Sequence, residues 1–133
     1  MADLFVLLHA PVLGPASWAP VAAELSGRGH RVAVPSLTGF AADGPPYADH
    51  LVRLARSRLP RRGAGRTVLV VHSGAGVLAP HLAGALPGHP VAVLFADAAL
   101  PAGTGPTPVA AAGFLPYLAG LATAGTVPPW PQW

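Results

Sequence analysis

Leu4–Leu8 is an unbroken apolar run that gives way to His9-Ala10-Pro11 and a Gly/Pro-rich loop. A run of that length carrying Phe and Val predicts a strand buried on both faces. Ser17 then stands where an N-cap belongs, ahead of a helix with Trp18, Val21, Ala22 and Leu25 as its inner face. Pro20 is tolerable in the first turn, and Gly27 and Gly29 end the helix. Arg31–Pro35 predicts a second short strand. Beyond a loop reaching Pro46, Leu51, Leu54, Ala55 and Arg58 recur at helical intervals and predict a helix over 47–59. A third strand follows at 67–71, then an Ala/Gly-rich helix over 74–86 that Pro80 bends. Val91–Ala96 is the fourth strand, ending at Asp97.

Strands alternating with helices in this order predict an α/β fold, a parallel sheet with right-handed crossovers and helices on both faces. Ligands of such sheets bind beyond the carboxyl ends of the strands, which gathers His9, Pro35, Ser73 and Asp97 around one crevice. From Ala98 to the last residue no charged side chain occurs. Within that stretch 109–127 is long and uncharged enough to resemble a membrane span. Its Ala and Gly content and the central Pro116 argue instead for a cap or lid helix, or a loosely ordered tail. The expected organisation is thus one α/β core over 1–101 and a cap-like segment over 102–133.

Composition adds limits. The chain has 133 residues, 52% of them hydrophobic and 10% charged, which suits a single packed domain and not a disordered one. Its net charge of +3 comes from arginine alone, with five of the eight arginines in 56–66. That run reads as the solvated end of a helix and the loop after it. No aromatic residues are interleaved for stacking on bases, so no nucleic-acid partner is expected. Cysteine is absent, which excludes disulfides, thiol nucleophiles and thiolate metal sites. No cofactor or metal motif is read. The N-terminus lacks a basic region ahead of a long apolar one, so a cytoplasmic location is expected.

Candidate chemistry concentrates in TVLVVHSGAG, Thr67–Gly76. An apolar strand runs into a tight turn at His72-Ser73-Gly74 with a small-residue helix start behind it. That is the layout of a nucleophile elbow, where a strained turn lifts a serine hydroxyl above the end of a parallel sheet. The pattern G-x-S-x-G reads here as Val71-His72-Ser73-Gly74-Ala75.

Four stretches taken together, FVLLHAPVLGPASW, GHRVAVPSLTG, VLVVHSGAG and VLFADAALP, are similar in order and spacing to the α/β-hydrolase fold family, in particular its small esterase-like members. The resemblance covers residues 1–101, the N-terminal half of that fold. It implies a serine hydrolase of ester or thioester substrates. Ser73 is the implied nucleophile, which attacks the carbonyl to give an acyl-enzyme. The Gly74 backbone N–H is one implied oxyanion donor, and Asp97 is the implied triad acid that orients an imidazole. His9 and His72 match histidines that flank the family's site and hydrogen-bond locally.

Three features depart from the family. Its order is serine, acid, histidine, yet no histidine follows His89, while His81 and His89 lie along or beyond the helix that leaves the turn. Pro11 holds the position of the second oxyanion donor and has no N–H. Unless Ala10 or Val12 substitutes, one donor is missing, worth about 3–4 kcal/mol of transition-state stabilisation. Val71 replaces a small residue at the turn. The expected function is therefore a serine hydrolase whose histidine comes from a further segment or a second chain. The alternative is a non-catalytic, degenerate hydrolase-fold protein that holds a small apolar ligand or a partner subunit. Either way the fourth strand is expected to form an open sheet edge through which the chain self-associates. Trp18, Trp130 and Trp133 read as packing residues.

Overall fold

The structure is a computed structural model and describes residues 2–60, 65–86, 90–108 and 110–128. Four parallel strands form one sheet: β1 (Leu4–Leu8), β2 (Arg31–Ala33), β3 (Thr67–Ser73) and β4 (Pro90–Ala98), in the spatial order β2-β1-β3-β4. Leu4 aligns with Arg31 on one side and Thr67 on the other, so the three strands start level. The chain winds outward from β1 to β2, then crosses back to β3 and continues to β4. The direction of winding therefore reverses between β1 and β3, and the carboxyl ends of those two strands flank the reversal.

Alternation along the strands divides the core. Leu4, Val6 and Leu8 of β1 and Leu69 and Val71 of β3 face one side. There they meet Leu51 and Ala55 of α2 (Tyr47–Ser57) and Leu82 of α3 (Ala79–Ala83). The opposite face carries Leu7 and Val70, both buried. On that side lies α1 (Ala19–Gly27), which packs against β2 and buries none of its own residues completely.

Several sequence expectations are corrected. Ser17 does not cap α1: it lies in a 3₁₀ turn, Pro15–Trp18, and its hydroxyl donates back to the Gly14 carbonyl at 2.8 Å. Val21 is exposed, because the helix leans on the three-residue edge strand β2 and not on the broad middle of the sheet. β2 stops at Ala33, short of Pro35, whereas β3 runs on to Ser73 and β4 to Ala98. The helix expected over 74–86 is a 3₁₀ turn, Gly74–Leu78, followed by the short α3. Pro80 sits in the first turn of α3, where its missing N–H costs no hydrogen bond. Pro116 likewise begins a helix and does not break one, lying in the first turn of α4 (Phe114–Leu121). No residue of α4 is buried, and among the described residues no helix is long and apolar enough to cross a membrane. His89, Arg61, Arg62, Trp130 and Trp133 lie outside the described residues.

The turn after β3 is pressed onto the end of β4. A Cβ added to Gly76 would meet the Ala99 carbonyl oxygen at 2.0 Å. Gly76→Ala is therefore expected to destabilise the fold by about 3 kcal/mol, the upper range for overpacking. Gly84→Ala, in open space at an ordinary helical φ of −75°, is expected to be neutral or stabilising by up to about 1 kcal/mol. Urea unfolding of the two variants checks the contrast, and equal midpoints would contradict it.

Candidate active site

Ser73 ends β3 in a backbone conformation that side chains avoid, with φ 53° and ψ −129°. Among the described residues only Asp97 and Ala124 share a positive φ without being glycine. Asp97 is the neighbour of Ser73 across the β3–β4 ladder. His72 aligns with Ala96 and Ser73 with Ala98, so Asp97 is the extra residue of a bulge beside the serine. Two strained residues thus sit side by side at the carboxyl end of the sheet. Strain of this kind, about 1–3 kcal/mol per residue, persists only where surrounding contacts leave no alternative, and it collects at functional sites.

The contacts that hold Ser73 are on the backbone. The Ala99 N–H donates to the Ser73 carbonyl at 3.0 Å. Gly74 opens the 3₁₀ turn directly behind, so its N–H is one of the free donors that a helical start presents. The Ser73 side chain is half-buried, and its hydroxyl has no hydrogen-bond partner among the described residues. Asp97 is exposed and also unpartnered there. What the arrangement offers is an accessible hydroxyl with a donor N–H and a carboxylate close by on the adjoining strand.

The flanking histidines are engaged elsewhere. His72 projects to the α1 side, where its ring meets Trp18 edge-to-face at 6.0 Å between centroids. His9, at the end of β1, is fully buried. Its Nδ1–H donates to the Ala10 carbonyl at 2.7 Å, and its Nε2 accepts the Leu37 N–H at 2.8 Å. Since a carbonyl only accepts and an amide N–H only donates, the ring is the neutral Nδ1–H form. Burial pushes its pKa below the ordinary 6.5, opposed by the bond to Ala10. His9 is thereby a clamp between β1 and the loop after β2, with no free nitrogen to serve as a base.

The other described histidines are remote from Ser73. His30 precedes β2 at the opposite end of the sheet and packs edge-on against Phe5. His50 accepts a hydrogen bond from Arg53 on α2, and His81 faces the same helix from α3. The structure brings Ser73, Gly74 and Asp97 to one end of the sheet; of the two histidines expected to hydrogen-bond locally, His72 makes a ring contact with Trp18, and His9 bonds the neighbouring Ala10 carbonyl and a distant amide. The sequence reading missed that partner of His9, the Leu37 N–H, which lies 28 positions away with no local signal. No group of His, Cys, Asp and Glu among the described residues is arranged to hold a metal ion. No known protein-family model matches the chain, and no curated protein matches it in sequence.

The neutral ring gives His9 a pH signature. A group with a lowered folded pKa contributes stability in full above its unfolded value, here 6.5, and loses it as pH falls from there through the folded value. Urea midpoints of the native chain are expected to drop between about pH 8 and about pH 5. His9→Leu removes that part of the drop and costs about 2 kcal/mol at the higher pH, because the Leu37 N–H is left buried without an acceptor. An unchanged pH dependence in the variant would contradict the neutral clamp.

Proposed function

We propose that this chain carries the nucleophile half of an α/β-hydrolase-type serine hydrolase acting on ester or thioester substrates. The backbone of Ser73 supports this reading most: a non-glycine residue at positive φ, at the strand-to-helix turn beside the winding reversal, is the geometry of a nucleophile elbow. Ser73 attacks the carbonyl carbon, and the substrate π bond opens to an oxyanion within reach of the Gly74 N–H. The alcohol or thiol leaves, an acyl-enzyme remains, and water releases the acid. Asp97 orients the imidazole that takes the serine proton. That imidazole comes from outside the described residues or from a second chain, since each described histidine is engaged or remote. Cytoplasmic action on a small ester-type molecule, with no resident cofactor, completes the proposal.

Labelling with a fluorophosphonate tests this directly. Covalent label on the intact chain with imidazole added in solution to supply the base, lost in Ser73→Ala and reduced at least tenfold in Asp97→Asn, is expected. Absence of label in a chain folded by circular dichroism would overturn the reading for this polypeptide.

A second reading is favoured by β4. This nine-residue strand lies at the sheet edge, with Leu94 50% and Phe95 38% exposed on opposite faces. The other edge, β2, is short and opens with Arg31, which discourages pairing. Such an unguarded strand suits a non-catalytic hydrolase-fold protein that holds an apolar ligand or a partner subunit, including a second copy. Under this reading, sedimentation shows species heavier than the monomer, and Leu94→Lys restores the monomer. A wild-type chain that sediments as a single monomer would contradict self-association through this edge.

A further inference from the structure

The arginines of the basic stretch have different surroundings. Arg66 grips Asp3 with two hydrogen bonds of 3.0 and 2.9 Å, which holds the Asp3 carboxyl below its usual pKa range. Arg58 donates to the Ser36 carbonyl and ties α2 to the loop after β2. Arg53 and Arg56 have no carboxylate partner among the described residues, and Arg53 donates only to Nδ1 of His50. These two guanidinium groups, three residues apart on α2, line a surface depression of about 380 Å³ together with His81 of α3. Ala48, Val52 and a single carboxylate, Asp49, complete its wall.

We propose that this depression binds a compact, multiply charged oxyanion, a phosphate or polycarboxylate group carried by a small molecule. Two planar guanidinium forks can each hold such a group through paired N–H bonds, and their charges are opposed by only one acid in the wall. Ala48 and Val52 add an apolar patch to the wall beside the two guanidinium groups. His81 supplies a further ring N–H from the facing helix. A second depression, of about 290 Å³, shares Arg53 and adds Phe40, Leu54 and the carboxylate of Asp43, so it leaves room beside the anion for an apolar body that carries no further negative charge. The first depression has no Phe, Tyr or Trp in its wall, so a small anion fits better than a nucleic-acid strand. This site is separate from Ser73 and does not depend on the proposed hydrolysis.

Calorimetric titration of the intact chain with pyrophosphate, and in parallel with citrate, at constant ionic strength tests the site. Saturable binding of at least one is expected, and which one binds identifies the phosphate or the carboxylate source. Arg53→Ala and Arg56→Ala should each weaken it about tenfold without changing the circular dichroism spectrum. Arg28→Ala, whose guanidinium pairs with Glu24 on α1, should leave it unchanged. Absence of saturation with both anions, equal affinity in the arginine variants, or tighter binding of a single-stranded oligonucleotide would overturn the proposal.

Discussion

Ser73 stays in its disfavoured backbone well because the turn behind it is closed against the end of β4. The Ala99 N–H fixes the serine carbonyl, and the bare Cα of Gly76 lets the 3₁₀ turn lie against the Ala99 backbone. Together they couple the end of β3 to the bulge of β4, so the strained Ser73 and the strained Asp97 belong to one backbone arrangement. Every chemical property argued for the site, the accessible hydroxyl, the free Gly74 N–H and the neighbouring carboxylate, follows from that coupling.

The two sides of the site are held by different means. On the β3–β4 side the constraint is backbone against backbone. On the β1 side it is His9, whose neutral ring joins the strand end to Leu37 in the loop beyond β2. A buried amide donor and a buried imidazole satisfy each other there, so neither is left unsolvated. The sheet itself is covered unevenly. α2 and α3 bury one face against Leu69 and Val71, while α1 shelters mainly the β2 end of the other. β4 is consequently covered only in part: Val93 and Ala98 pack against the core, while Leu94 and Phe95 stay exposed on opposite faces.

Much of this was legible in the chain. Leu4–Leu8 reads as a strand because nothing polar interrupts it, and the structure gives it those bounds. The order of strands and helices sufficed to bring Ser73 and Asp97 to one end of the sheet, since parallel strands share a carboxyl end. Local pattern failed where tertiary contacts decide. Val21 is exposed because no periodicity reports that α1 rests on a three-residue strand. The helix after Ser73 shortens because Pro80 starts a helix more readily than it bends one. The bulge at Asp97 and the His9–Leu37 bond leave no trace in sequence, because each depends on residues brought together by folding. Arg58 and Arg66 looked like solvent-facing charge, yet each has an acceptor on a distant segment.

The central claim is that the fold imposes strain at Ser73, and a pair of substitutions measures it without reference to any activity. Ser73→Ala removes the hydroxyl and keeps the Cβ, whereas Ser73→Gly also removes the steric conflict at positive φ. If the backbone is held as described, the glycine variant unfolds at higher urea than the alanine variant. The difference should be about 1–3 kcal/mol despite the greater chain entropy of glycine. A glycine variant equal to or less stable than the alanine variant would mean that the turn is not strained, and the account of the site built on it would fall.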